Sequence, residues 1–236
     1  MAYQTTFKRF ELKYILTQEQ KAVIMEAMSP HMALDKYGRT VIRNIYYDTD
    51  SYRLIRNSLA KPIYKEKLRM RSYRRLSSQE TAFVELKKKY DGIVYKRRVA
   101  MKQQDAAAWL NGKNSLMPNH QIGREIQYFK DFYQSLHPVL FLSYEREAWF
   151  SKDGSDFRVT FDDRILCRQD RLSLTEEADG TPILEQGKIL MEIKTSGGIP
   201  LWMTQVLTEN KLYKTSFSKY GTAYQTLIFI GAQQYV

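Results

Sequence analysis

The sequence predicts an α+β fold built on a mostly antiparallel sheet that closes into a barrel with a polar bore. Three observations lead there. Six to eight segments read as long strands with helices inserted between them, and hairpin signals outnumber the spacings of parallel βαβ units. Several of those strands carry cations at every second position, and side chains two apart in a strand point the same way. A sheet charged on one face and apolar on the other suits closure around a charged interior.

Phe7 to Leu16 reads as an opening strand. Thr17, with Gln20 three residues on, forms a capping box for a helix running to about Met28, and Pro30 ends it. Val41 to Tyr47 is the next strand, and Asp48 is placed to cap a short helix through Tyr52 and Ile55. From Ile63 to Arg75 the odd positions are Ile63, Lys65, Lys67, Arg69, Arg71, Tyr73 and Arg75, which puts five positive charges on one face of one strand. After a turn at Ser77 to Gln79, the strands Phe83 to Lys89 and Val94 to Val99 are joined through Asp91-Gly92, the strongest short hairpin signal. A two-residue turn there sets Lys87 opposite Lys96 and Glu85 opposite Arg98. Directly opposed like charges destabilise an antiparallel pair. Either something anionic sits between these lysines or they form a solvated outer face.

Asp105 to Leu110 reads as a short helix, Gly112 to Gly123 as a polar loop, and Arg124 to Leu136 as a helix stopped by His137-Pro138. Strands follow at Val139 to Phe150, Phe157 to Leu166 and Ile189 to Thr195, with the acidic, turn-rich Asp170 to Gly187 as a surface excursion. In the last strand Leu190, Glu192 and Lys194 share a face, as do Arg158, Thr160 and Asp162, and Tyr144 with Arg146, in theirs. From Pro200 onward two helical pieces are separated near Tyr213 to Ser218. Ser216 or Ser218 caps the second, whose N-terminal amides attract anions and which is placed to plug one end of the bore.

The 236 residues, 43% of them hydrophobic, are enough for one domain spanning 1–236. The 37 basic residues against 26 acidic ones leave a formal charge of +11, which favours polyphosphate, nucleotides, nucleic acid or an anionic membrane surface. The lone Cys167 excludes an intrachain disulfide and a cysteine-based zinc cluster, and the expected location is cytoplasmic. No signal-peptide run or bilayer-spanning apolar stretch is visible. His31, His120 and His137 share no metal-ligand spacing, and no P-loop, dinucleotide fingerprint or serine-histidine-acid set occurs. The 17 tyrosines are scattered beside apolar positions, so packing explains them and nucleic acid is not expected as a partner.

A closed barrel would bring Lys13, Arg69, Arg71, Lys87, Lys96, Arg146 and Arg158 to a common interior with few carboxylates to neutralise them. Uncompensated cations inside a protein cost several kcal/mol each, so this interior needs a polyanion.

Seven segments in order carry a family resemblance: Arg9-Phe-Glu11-Leu-Lys13-Tyr14, Lys67-Leu-Arg69-Met-Arg71, Phe83-Val-Glu85-Leu-Lys87, Tyr144-Glu-Arg146, Phe157-Arg158-Val-Thr-Phe-Asp162, Met191-Glu192-Ile-Lys194 and Phe217-Ser-Lys219-Tyr220. Together they resemble the VTC domain, the polyphosphate polymerase domain of the triphosphate tunnel metalloenzyme (CYTH-like) superfamily, over about residues 7 to 225. The resemblance implies a closed, antiparallel eight-stranded tunnel with flanking helices, a C-terminal helix near one end, and basic walls holding a triphosphate or polyphosphate chain with Mn²⁺ or Mg²⁺. By matched position, Lys13, Arg69, Arg71, Lys87, Arg146 and Arg158 carry catalysis. Lys96, Tyr144, Ser218, Lys219 and Glu11 bind substrate, and Glu192 is the metal ligand. The implied reaction transfers the γ-phosphate of ATP to a growing polyphosphate chain. Whether a separate membrane protein receives the product is left open by the sequence, although a domain without membrane helices could work beside one. The alternatives are a triphosphatase or tripolyphosphatase on the same fold and a noncatalytic polyphosphate-binding module. The opening motif departs from the wider superfamily, in which two glutamates precede the lysine, because Arg9 stands at the first of those positions. That departure lowers the expectation of a hydrolase relying on several metal-binding glutamates.

Overall fold

The computed structural model describes residues 6–7, 10–91 and 93–229. Arg9 of the opening motif, Gly92 of the hairpin turn and the end of the apolar tail lie outside them. The chain runs through β1 (Thr6–Phe7), β2 (Phe10–Leu16), α1 (Gln18–Met28), β3 (Met32–Asp48), α2 (Arg53–Leu59), β4 (Tyr64–Ser72), β5 (Thr81–Tyr90) and β6 (Ile93–Lys102). It continues through α3 (Gln103–Leu110), α4 (Gln121–Tyr133), β7 (His137–Ser151), β8 (Arg158–Arg168), β9 (Thr181–Pro182), β10 (Ile189–Thr195), α5 (Leu201–Glu209) and α6 (Lys219–Ala223).

All the strand pairs are antiparallel, in the order β1-β6-β5-β4-β3-β7-β8-β10-β2, with β9 beside β8. Eight of these strands have seven residues or more, the number the resemblance implies, and β1 and β9 add two residues each. The expected full closure is not made by hydrogen bonds: among the described residues the ladder does not come full circle. Its two ends, β1 and β2, nevertheless belong to the same N-terminal segment, and Glu11 of β2 reaches Lys87 of β5 at 3.7 Å. Part of the free edge of β2 is covered, since Thr215 N–H donates to the Lys13 carbonyl at 2.7 Å.

Local chemistry explains the elements that position the cavity. Thr17 caps α1 in a full capping box. The Asp48 carboxylate accepts from the backbone amides of Thr49, Leu54 and Ile55 and from the Tyr220 hydroxyl, so one buried aspartate starts α2 and ties it to α6. The β5–β6 hairpin takes the predicted register, with Tyr90 opposite Ile93, Lys87 opposite Lys96 and Glu85 opposite Arg98. Asp91 in its turn has a φ of +42°, as a type I′ turn requires. His137-Pro138 begins β7 rather than ending α4, because α4 stops at Tyr133. The segment from Asp170 to Gly187 crosses the surface as expected, pinned by the buried Arg168, which donates to the carbonyls of Asp170, Arg171, Glu177 and Asp179.

Three apolar clusters form the core. One packs α3 and α4 on the outer face of β3 to β6 through Trp109, Ile126 and Phe129, and a second packs α1 and α5 on the outer face of β2, β8 and β10 through Ile24, Met28 and Met203. The third lies on the inner face, where Ile42, Leu142, Tyr144, Cys167 and Leu190 pack under Tyr220 and Tyr224. This corrects the expectation of one charged and one apolar face. The inner face is itself divided, apolar under α6 and charged elsewhere.

Candidate functional site

Strand parity delivers the charged side chains inward. Lys67, Arg69 and Arg71 come from β4, Lys87 from β5 and Lys96 from β6. Glu11 and Lys13 come from β2, Tyr144 and Arg146 from β7, Arg158 from β8, and Glu192 and Lys194 from β10, while Ser218, Lys219 and Tyr220 come from the start of α6. They line one cavity of about 580 Å³. All twelve residues singled out in the sequence, namely Lys13, Arg69, Arg71, Lys87, Arg146, Arg158, Lys96, Tyr144, Ser218, Lys219, Glu11 and Glu192, stand in its wall. The wall holds ten cationic side chains against two carboxylates.

Two further carboxylates lie directly beneath. Glu85, 1% exposed, accepts from Arg69 Nε and Nη2 at 2.9 and 2.7 Å and from Arg98 Nε at 2.7 Å, with Lys96 Nζ at 2.7 Å and Arg71 Nη1 at 3.8 Å. Burial opposes its charge, yet these four cations hold its carboxyl well below the usual range. Arg71 also donates to Asn44 Oδ1 and the Tyr144 hydroxyl. Asp162, fully buried, takes a two-pronged pair from Arg146 at 2.5 and 2.6 Å and Lys219 Nζ at 2.5 Å. The sequence reading expected few carboxylates and uncompensated cations: the wall holds two carboxylates, but Glu85 and Asp162 beneath it neutralise Arg69, Lys96, Arg146 and Lys219, which corrects the second expectation. Lys96 does not press against Lys87: it turns to Glu85, while Lys87 turns to Glu11.

Glu192 accepts from Lys194 at 2.7 Å, Lys219 at 3.1 Å and Arg146 at 3.3 Å, with Lys13 at 3.8 Å. Burial works against its ionised form, but Lys194, Lys219, Arg146 and Lys13 outweigh it and keep the carboxyl well down. Glu11 lies 3.3 Å from Lys13. Burial raises its carboxyl, but Lys87, Lys194 and Lys13 bring it down to about 2 against the repulsion of Glu192.

Lys67 stands apart. Its ammonium donates to Ser218 Oγ at 3.2 Å, and no carboxylate lies within ion-pair distance among the described residues. Burial, then Lys87, Lys13, Lys65 and Arg69, push its pKa down to about 7. Lys96, desolvated but paired with Glu85, falls to about 8. Ser218 takes the capping role offered for Ser216 or Ser218, accepting from the Gly221 amide, and Lys13 Nζ fixes the preceding segment through the Phe217 carbonyl at 2.7 Å.

Sequence reasoning missed Glu85, Asp162, Lys67 and Lys194 as members of the site. The signal was present, since Glu85 has the parity of Lys87, Asp162 that of Arg158, Lys67 that of Arg69 and Lys194 that of Glu192. What parity cannot distinguish is a side chain in the wall from one buried behind it. The histidines stay outside the cavity wall: His31 stacks on Trp202 and His120 caps α4.

No group of three or more histidine, cysteine or acidic side chains that could cage a metal occurs among the described residues. Glu11 and Glu192 stand on the paired strands β2 and β10, offset by two residues of the register and so on one face. Hard divalent cations often use one or two carboxylates together with substrate phosphate oxygens. The residues therefore fit a cation that arrives with phosphate and do not fit a cage made by protein alone.

A candidate adenylate cyclase from Bacillus halodurans superposes with a TM-score of 0.58 at 13% identity, over 95% of this chain and 100% of that one. At this identity the likeness shows a shared fold and nothing of the chemistry. A candidate adenylate cyclase from Vibrio parahaemolyticus follows at a TM-score of 0.49 and 10% identity, over 93% of this chain and 99% of that one. A candidate adenylyl cyclase from Hippeastrum, described as having a dominant triphosphatase activity, has a TM-score of 0.49 at 15% identity, over 89% and 92%. No curated protein sequence matches. The VTC domain profile matches residues 8–228, nearly the whole length and the whole of the cavity wall. The chain therefore belongs to the VTC domain family.

Proposed function

We propose that this protein is an ATP-dependent polyphosphate polymerase. A terminal oxygen of the growing phosphate chain attacks the γ-phosphorus of ATP, the bond from that phosphorus to the β,γ-bridging oxygen breaks, and its electron pair leaves with ADP. The observation that carries this reading is the wall of ten cations against two carboxylates around one cavity. Phosphoryl transfer needs positioning and charge neutralisation more than a protein nucleophile. Glu85 and Asp162 take the Nε and Nη2 donors of Arg69 and Arg146 and so fix both guanidinium planes, which leaves the remaining Nη hydrogens to meet phosphate oxygens, and the lysines add movable point charges. Glu192, assisted by Glu11, would hold Mn²⁺ or Mg²⁺ together with those oxygens, and the bound ion would offset charge on them.

The same geometry disfavours hydrolysis. A hydrolase that relies on a general base is best served by a group able to take a proton from water, and efficient bases have pKa values near the working pH. Glu11, at about 2, and Glu192, well below its usual range, are both engaged by cations and are weak bases. Incubation of the purified protein with ATP and Mn²⁺ tests the proposal. Long polyphosphate with ADP is the expected outcome; free phosphate as the main product assigns a triphosphatase, and binding without turnover assigns a noncatalytic module.

A further inference from the structure

The cationic face of β4 and β5 continues past the cavity. Register places Lys67 opposite Lys87 and, one step nearer the β5–β6 hairpin, Lys65 opposite Lys89. Positions two apart on a strand lie on one face about 7 Å along it. Lys65 and Lys89 thus extend the inward row while standing outside the cavity wall. The next pair inward, Arg69 with Glu85, is an ion pair, and Lys87 still reaches Glu11 at 3.7 Å, so among the described residues a carboxylate partner is missing from Lys67 and from both members of the Lys65–Lys89 pair.

Lys65 and Lys89 are both half-buried. Lys65 Nζ reaches only the Ser58 carbonyl of α2, at 3.5 Å, and neither lysine has a carboxylate within ion-pair distance among the described residues. On β5, Lys88 points to the opposite face, where Glu66 neutralises it at 3.6 Å. One strand therefore gives a counter-charge to its outward lysine and none to Lys89 beside it. Directly opposed like charges destabilise a strand pair, and two such pairs in succession have no structural benefit within the protein alone. Burial and the neighbouring Lys89, Lys87, Lys13 and Lys61 also disfavour the charged form of Lys65.

We propose that Lys65 and Lys89 form an outer phosphate subsite that grips the part of a phosphate chain emerging from the cavity, so that long chains are held more tightly than inorganic triphosphate. The inference rests on the polymerase reading for its ligand class and adds to it a place where chain length is sensed. Triphosphate is satisfied by the cavity wall. A longer chain reaches the row beyond it.

The test is a titration of the protein, without nucleotide, with inorganic triphosphate and with long-chain polyphosphate, for wild type and for the double variant Lys65→Ala/Lys89→Ala. The expected result is a loss of about tenfold or more in long-chain affinity with triphosphate affinity within about twofold of wild type, and recovery in Lys65→Arg/Lys89→Arg. Thermal melting monitors the fold, and relief of like-charge repulsion should leave the alanine variant at least as stable as wild type. An unchanged long-chain affinity, or an equal loss for both ligands, overturns the subsite while leaving the polymerase reading intact. Wild-type protein that binds neither ligand overturns the polymerase reading itself.

Discussion

Two stretches of the same inward-facing row, two residues apart on β4 and β5, treat positive charge in opposite ways. Around Glu85, four cations share one buried carboxylate, and Arg69 and Arg98 are locked to it by short hydrogen bonds before any ligand arrives. At Lys67 and Lys65 no carboxylate is supplied, and burial with neighbouring ammonium groups makes their charge unfavourable. On the proposed function, the first stretch is a preorganised template for phosphate oxygens, its desolvation already offset within the protein. The second depends on its ligand for the missing counter-charge. Removing the counter-charge from the first, or the charge from the second, should therefore have opposite effects on stability.

The largest effect is expected at Glu85. Glu85→Gln leaves Arg69, Arg98 and Lys96 without their buried partner, and breaking a buried pair from one side costs about 3–5 kcal/mol, to be read from urea unfolding. The wild-type contribution also has a defined pH dependence. Because the folded carboxyl sits below its unfolded value, the stabilisation is present above about pH 4.3 and is lost as pH falls toward the folded pKa. The variant should unfold with a flatter acid limb. A slightly smaller effect, on rate, is expected at the wall arginines. Arg69→Ala or Arg158→Ala should keep the circular dichroism of the wild type and lower polyphosphate synthesis by about 10²–10³. Wild-type turnover in either variant would remove the wall from the chemistry.

Parity made much of this legible before any coordinates. The alternation along the strands and the Asp91-Gly92 turn were enough to bring seven cations to one interior, the family resemblance added Glu11, Tyr144, Glu192, Ser218 and Lys219, and all twelve meet at one cavity. The depth of each side chain was not legible. Glu85 and Asp162 share the parity of the wall but lie behind it, because bulkier arginines on the next strands cover them. Nor was the division of the inner face legible, since Ile42, Leu142 and Leu190 have the ordinary spacing of core residues and only the position of α6 shows what they pack against.

Glu192→Gln separates metal from phosphate. The carboxylate is surrounded by Lys194, Lys219, Arg146 and Lys13, so losing its charge raises the net positive potential of the cavity. Inorganic triphosphate without metal should bind at least as tightly as to wild type by calorimetry. The Mn²⁺ concentration for half-maximal synthesis should rise by about 10–100-fold. A parallel loss of metal-free triphosphate binding would instead mark Glu192 as an organiser of the lysines.

The smallest effect is at Lys67, and its sign follows from protonation. The folded pKa of about 7 lies far below that of an exposed lysine, so between about pH 7 and 10.4 the unfolded chain binds the extra proton and stability rises with pH. The charge cost is fully present below about pH 7. Lys67→Met should therefore be more stable than wild type at pH 6, by about 1 kcal/mol, with the gain shrinking toward pH 10. Phosphate binding runs the other way. A polyanion beside Lys67 favours its ammonium, so binding takes up a proton and wild-type affinity for triphosphate falls as pH rises through 7 to 9. The methionine variant should show a shallower fall over the same interval. Equal slopes in the two proteins would mean that Lys67 keeps its charge without the ligand, and the contrast between the two stretches of wall would fail at that residue.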